Sequence, residues 1–229
     1  YLNTPKKKLM VIFRGINLEY FNKKHVEQIK VDQLLNQWRI NKNDFKILLP
    51  ARLTKWKGHE TFIEALNILE DVYLKNNFHA IILGSDQGRS VYSKKLSSLV
   101  ERYRLAKKIT FIENYREMPV AYKLVDVVVS TSIEPEAFGR VSVEAQAMEK
   151  MIIASNIGGS KETILNGKTG LLYKHDDPKD LAKTLNKSME MNKNSLDLMG
   201  KEGRKNVEKK FNVDQMCQTT FTEYKKLLK

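Results

Sequence analysis

The run Asp126-Val-Val-Val-Ser130, followed by Glu134-Pro-Glu136-Ala-Phe-Gly139-Arg-Val-Ser-Val-Glu144-Ala145 and then Met151-Ile-Ile-Ala-Ser155, decides the fold. Its two ends are short apolar runs with little alternation, the pattern of strands covered on both faces. Between them, Val141, Val143, Ala145, Ala147 and Met148 supply the apolar positions of a helix over Gly139–Met148. Strand, helix and strand at this spacing imply a right-handed crossover between parallel neighbours. The alternation continues in both directions. Leu9–Phe13, Phe45–Ala51, Phe78–Leu83, Ile109–Ile112 and Gly170–Tyr173 read as further strands, and Gly58–Leu74 and Val91–Leu105 as helices. The pattern predicts an α/β chain on a doubly wound parallel sheet of about six strands. After Pro178 the strands stop. Asp177 and Pro178 read as a helix cap and first turn. Asp180–Met191, Leu198–Phe211 and the amphipathic Val213–Leu228 read as C-terminal helices.

Composition narrows the classes. With 229 residues and 41% apolar content, the chain can bury a sizeable core, which excludes a disordered segment. Cys217 is the only cysteine, which excludes a disulfide scaffold. No run approaches the ~20 apolar residues of a membrane span, and no signal-peptide stretch is present. The net charge of +13 invites a nucleic-acid reading, since Lys and Arg displace counterions from phosphates. Its distribution weakens that reading. Residues 1–30 carry 7 basic and 2 acidic side chains, residues 89–108 carry 7 and 1, and residues 113–144 carry 3 and 6. No basic motif is interleaved with aromatics. A solvated Lys-rich surface accounts for most of the excess, with attraction to anionic lipid headgroups second and nucleic acid third.

In such sheets ligands bind at the carboxyl ends of the strands. After Phe45–Ala51 come Arg52 and Lys57-Gly58, two cations on a loop entering a helix. Arg offers a fork to phosphate oxygens and Lys a point charge, although an exposed basic loop explains the pair taken alone. After Phe78–Leu83 comes Gly84-Ser-Asp-Gln-Gly88. Neither G-x-G-x-x-G nor G-x-x-x-x-G-K-[ST] occurs, so a dinucleotide oxidoreductase or a P-loop enzyme is unsupported. After Asp126–Ser130 come Glu136, in a loop, and Glu144, about 7.5 Å along the helix that Gly139 opens. Free amides around Phe138, Gly139, Arg140 and Val141 make an anion site there. An anion flanked by carboxylates suits a nucleoside diphosphate sugar, its hydroxyls donating to the carboxylates. Taken singly, Glu136 is an ordinary loop carboxylate and Glu144 a solvent-facing helix residue. The four histidines, His25, His59, His79 and His175, lack metal-ligand spacing and read as surface or helix-cap residues.

The Glu136–Glu144 stretch resembles the E-x7-E signature of retaining glycosyltransferases of the GT-B fold, family four (glycosyl transferases group 1). Phe13-Arg-Gly15-Ile-Asn17 resembles the N-G-I-D segment that opens the family's second domain. Arg52-x4-Lys57-Gly58 resembles its phosphate loop, and Gly158-Gly159-Ser-Lys-Glu162 its G-G-x-x-E segment. Asn166-Gly167-Lys-Thr-Gly170 and Asp177-Pro178 also fit, so the motifs cover most of residues 9–178 in family order. Arg14 departs from the usual Asn, and Ser85-Asp86-Gln87 replaces a tighter Gly-x-Gly turn, which leaves contacts in that turn open.

The resemblance implies half of a GT-B enzyme. Residues 1–8 would be a connecting tail and residues 9–178 a Rossmann-like domain binding UDP-sugar or GDP-sugar. Residues 179–229 would be C-terminal helices, the last crossing toward an N-terminal acceptor domain of ~180 residues. Such an enzyme transfers a hexose with retention to a glycan or lipid-linked acceptor, as in cell-envelope polysaccharide synthesis, and this chain alone is expected not to transfer. Arg52, Lys57 and Glu136 would be catalytic, and no cofactor or metal is expected, since the two cations serve that purpose. Glu144 would bind the ribose, Phe138–Val141 the diphosphate and sugar, Arg140 a phosphate, and Tyr115 and Met118 the base. The expected location is the cytoplasm, with the inner face of the membrane as a docking surface. The alternatives are a nucleotide-sugar-binding module without transferase activity and a basic membrane-surface or nucleic-acid-binding domain.

Overall fold

A computed structural model of the chain describes residue 5, residues 9–88 and residues 90–228. Six strands form one all-parallel sheet: β1 (Phe45–Pro50), β2 (Phe78–Leu83), β3 (Ile109–Ile112), β4 (Val127–Ser130), β5 (Met151–Ser155) and β6 (Gly170–Tyr173). Their order is β3-β2-β1-β4-β5-β6. The chain lays β1, β2 and β3 outward in one direction, then returns to place β4 beside β1 and continues the other way. This Rossmann-like topology reverses between β1 and β4, and there a crevice opens at the carboxyl ends of the strands.

Side-chain alternation builds two cores. Leu48, Ile81, Val128 and Ile152 point to one face, where they pack with Tyr122, Val143 and Phe211. Ile47, Leu49, Ile82, Val127, Val129 and Ile153 point to the other, with Phe62, Leu66, Leu96 and Leu185. Strands apolar at every position are therefore buried on both sides. On the first face, α1 (Gln28–Gln37) packs on α4 (Met118–Leu124), and α5 (Arg140–Ala147) on α8 (Lys193–Lys210). On the second, α2 (His59–Asp71) packs on α3 (Ser90–Arg102) and α7 (Pro178–Glu190). The short α6 (Ser160–Thr163) follows β5, and α9 (Val213–Leu227) ends the chain with none of its residues buried. No helix among the described residues is long and apolar enough to cross a membrane.

Several expectations are corrected. Leu9–Phe13 is not a strand; Leu9, Met10 and Val11 are exposed and pair with nothing in the sheet. The backbone that follows docks on the α8–α9 junction, where Ile16 N–H donates to the Phe211 carbonyl at 2.9 Å and Val213 N–H to that of Ile16 at 3.2 Å. The helix read from Leu198 starts at Lys193, because the Asn192 side chain caps it by accepting from Ser195 N–H. Helices α1 and α4 carry no long apolar period and were not legible as such. The tail over residues 1–8 lies outside the described residues apart from Pro5. Asp177 does cap α7, accepting from the amides of Lys179 and Asp180.

Candidate functional site

The loops that leave β1 and β4 meet at the crevice. Ile133 N–H donates to the Trp56 carbonyl at 2.9 Å, and Thr131 Oγ1 donates to the Lys57 carbonyl at 2.7 Å. Gly58 permits this contact. It has a φ of +67°, and a Cβ there would lie 1.9 Å from the Thr131 carbonyl oxygen. The turn after β2 braces the same loop, since Leu53 N–H donates to the Ser85 carbonyl at 3.0 Å.

Glu136 sits against this junction. Lys57 Nζ approaches its Oε1 at 2.7 Å, and Ser132 Oγ donates to the same oxygen. Oε2 carries no hydrogen bond among the described residues. The loop after β5 fixes the backbone around it: Gly159 N–H donates to the Glu136 carbonyl at 2.7 Å. Any Cβ at Gly158 would lie 2.7 Å from the Glu136 backbone, and one at Gly159 would lie 2.5 Å from the carbonyl carbon of Phe138. Paired glycines are needed because two backbones approach closer than a side chain allows.

Helix α5 opens on Gly139, at φ +75°. Ser142 N–H already bonds the Gly139 carbonyl at 3.0 Å, whereas the amides of Phe138 through Val141 have no backbone acceptor among the described residues. They form a bank of orphan donors at a helix start. Glu144 lies one turn further and is buried, contrary to the solvent-facing reading. Its Oε2 accepts from Tyr122 Oη at 2.8 Å and its Oε1 from Arg140 Nε at 2.8 Å. Burial pushes the Glu144 carboxyl above its ordinary range, against the opposing pull of Tyr122 and Arg140. The Tyr122 hydroxyl, fully buried beside it, is raised well above its usual value and stays a donor.

Of the expected residues, the structure brings Lys57 to Glu136 and Arg140 to Glu144. Arg52 is exposed at the crevice, with no side-chain bond among the described residues. Tyr115 packs edge-on against Trp38 with centroids 5.2 Å apart, and Met118 opens α4. The α4 side chain that reaches a carboxylate is Tyr122. Ser132 and Tyr122 escaped sequence reasoning, because no spacing rule links either to its carboxylate. Behind the basic loop, His59 is fully buried, and burial lowers its imidazole to about 4. Its ring nitrogens face the backbone of Ala51 and Thr54 without a hydrogen bond of good geometry. Among the described residues no group of three or more His, Cys, Asp or Glu could hold a metal.

Residues 30–206 match the model of the family described as glycosyl transferases group 1. The chain belongs to that family. Among its relatives, the capsular polysaccharide biosynthesis glycosyltransferase CapM of Staphylococcus aureus is 30% identical over 220 residues, covering 94% of this chain and 53% of CapM. A glycosyltransferase crystal structure from Rickettsia africae superposes with a TM-score of 0.94 at 30% identity, covering 98% of this chain and 59% of that one. The crystal structure of Anabaena HepE in complex with UDP superposes with a TM-score of 0.86 at 25% identity, covering 95% of this chain and 57% of that one. The chain thus spans little more than half the length of these glycosyl transferases, and it corresponds to one half of a GT-B fold.

Proposed function

We propose that this chain is the donor-binding half of a retaining glycosyltransferase that moves a hexose from a nucleoside diphosphate sugar to a glycan or lipid-linked acceptor. The observation that carries the reading is the convergence, at the β1/β4 reversal, of the Lys57–Glu136 pair, the orphan amides of Phe138–Val141 and the buried Glu144. The family membership and the UDP held by HepE support a uridine nucleotide as the first donor to test. CapM's role in capsular polysaccharide biosynthesis supports an envelope glycan as the product class.

Each residue then has a task. The diphosphate lies on the amides at the start of α5, with Arg52 and Lys57 beside it. As the sugar–phosphate bond breaks, negative charge grows on the leaving diphosphate, and preplaced cations stabilise that state more than the ground state. Glu136, held through Oε1 by Lys57 and Ser132, offers Oε2 to a donor-sugar hydroxyl. Glu144 accepts from the ribose diol. Tyr122 keeps one of its oxygens in place, while Arg140, whose side chain is 75% exposed, releases the other at little cost and turns toward phosphate. These cations supply the charge neutralisation, and the reading invokes no metal. The acceptor would be held by a partner domain, without which proximity is lacking.

Calorimetry with UDP tests the site. The parent chain is expected to bind, and Arg52→Ala and Glu144→Ala to weaken binding by ~1–3 kcal/mol each. A folded chain that binds neither UDP nor GDP refutes the reading. Transfer is tested separately: the chain alone is expected to be inactive, and the chain supplied with an acceptor domain is expected to transfer with retained anomeric configuration. Transfer by the chain alone would refute the division of labour.

A further inference from the structure

Two amide side chains are buried where α8 packs on α5. Gln146 lies on α5, two residues past Glu144, and Asn206 lies on α8. Their buried neighbours in sequence are the apolar Ala145, Ala147 and Val207. Helix α8 comes close because Gly203 stands one turn before Asn206: a Cβ there would lie 2.9 Å from Gln146 Cγ. Gln146 Nε2 donates to the Ser142 carbonyl at 3.0 Å and to the Thr163 carbonyl at 2.9 Å. Asn206 Nδ2 donates to Gln146 Oε1 and to that same Thr163 carbonyl, both at 3.0 Å. Thr163 ends the single-turn α6, and its carbonyl has no backbone partner among the described residues. The two amides satisfy that orphan acceptor. Thr163 Oγ1 in turn donates to the Gly159 carbonyl at 2.9 Å, and Gly159 N–H holds the Glu136 carbonyl. An unbroken chain of hydrogen bonds therefore runs from α8, past α5, to the backbone of Glu136.

We propose that Gln146 and Asn206 are positioning residues that set Glu136 against the start of α5, and so the donor sugar against its diphosphate. The inference rests on the donor reading above. An apolar pair would pack α8 on α5 as well, but it would leave the Thr163 carbonyl unpaired and α6 free to slide. The two parts of the site sit on different elements. The free amides and Glu144 belong to α5, whereas Glu136 hangs from the loop that the Gly158–Gly159 turn braces. Lys57 and Ser132 hold the Glu136 carboxylate from the β1/β4 side, and the amide pair holds its backbone from the other. Loosening the pair moves Glu136 relative to α5. A nucleoside diphosphate, resting on α5, senses little of that movement. A nucleotide sugar, reaching from α5 to Glu136 Oε2, senses all of it.

The test is calorimetry of the chain with UDP and with UDP-glucose, UDP-galactose and UDP-N-acetylglucosamine, the tightest of the three serving as the sugar probe. For a parent that binds only guanine nucleotides, GDP and GDP-mannose take their place. The readout is the ratio of the two Kd values, nucleotide sugar over nucleoside diphosphate. Asn206→Leu and Gln146→Met, close in shape but without donors, should raise that ratio about fivefold, the loss of roughly one hydrogen bond. Asn206→Ser, which leaves room for water, should move it the same way and serves where the leucine does not fold. Val100→Ala thins the core on the other face of the sheet. It should lower stability and leave the ratio at the parent's value, which a merely structural role for Asn206 would also do. A parent that binds neither UDP nor GDP refutes the donor reading, and this inference with it. A parent that binds the diphosphate but no nucleotide sugar overturns the inference alone, since no sugar contact is left to set. An unchanged ratio in the Asn206 variants, or an equal change in Val100→Ala, overturns it too.

Discussion

The two ends of the sheet carry their charge differently. The amino end gathers five lysines and three carboxylates around one cavity, whereas the candidate site at the carboxyl end sets Arg52, Lys57 and Arg140 against two glutamates. Charge density alone would place the donor's diphosphate at the wrong end. What distinguishes the carboxyl end is backbone: glycines that let three loops touch, and a helix start with free amides. Most of the +13 is therefore no guide to the donor site. A matched pair of glycines probes the contrast most strongly. A Cβ at Gly58 would lie 1.9 Å from the Thr131 carbonyl oxygen, and one at Gly200, near the lysine cavity, 2.0 Å from that of Glu149. Both alanine variants should lose stability in a urea melt. Gly58→Ala should lose more, ~3 kcal/mol or above, because it adds left-handed strain to the overlap. Only Gly58→Ala should also weaken UDP binding by the fraction still folded. Equal loss of UDP affinity in Gly200→Ala would break the contrast between the two ends.

Burial depresses His59 at the carboxyl end and Lys150 and His79 at the amino end, and acid should tell His59 and Lys150 apart. The His59 imidazole is lowered from an ordinary 6.5 to about 4, and the Lys150 ammonium from 10.5 to about 8. A base with a depressed folded value binds its proton more readily when unfolded. His59 therefore supports the fold above pH 6.5, and that support is lost as pH falls through 6.5 toward 4. Over the same interval Lys150 is charged in both states and contributes no slope. The expected loss is ~3 kcal/mol at most, from about 2.5 units at 1.36 kcal/mol each. Denaturant melts between pH 7 and 4 should show that slope flattened in His59→Gln and unchanged in Lys150→Arg. A slope unaffected by His59→Gln removes the buried imidazole as its source.

The same contrast explains what could be read from the sequence. Strands β1, β2, β4 and β5 showed as apolar runs because both their faces are covered. The order of the motifs along the chain carried the loops after β1, β4 and β5. Leu9–Phe13 has the same local composition as those strands, and it failed because neither edge of the sheet reaches it. Glu144 looked solvent-facing, since one turn of a helix does not reveal that α4 and its Tyr122 cover it. Ser132 and Tyr122 are serine and tyrosine in unremarkable surroundings, and only the fold brings them to the carboxylates. The lysine cavity was invisible for the same reason, its members being scattered from Lys23 to Lys150.

Tyr122 offers the finest test of the carboxyl end. Its hydroxyl donates to Glu144 Oε2 at 2.8 Å from a fully buried position. In the proposed complex this bond leaves Glu144 ionised and aimed at the ribose. Tyr122→Phe removes one hydrogen bond without changing the shape of the ring, so UDP affinity should fall by about 1 kcal/mol, or roughly fivefold. The pH dependence separates positioning from packing. Burial already raises the Glu144 carboxyl, and Tyr122 pulls it back down. Without the hydroxyl that carboxyl rises further. A protonated Glu144 cannot accept from both ribose hydroxyls, so UDP binding weakens on acidification as Glu144 takes up its proton. In Tyr122→Phe that weakening should begin at a higher pH than in the parent, while in Lys150→Arg it should begin at the same pH. A Tyr122→Phe profile that overlays the parent's would show that the hydroxyl fills space rather than tuning the carboxylate, and Glu144 would then owe its place to α5 and Arg140 alone.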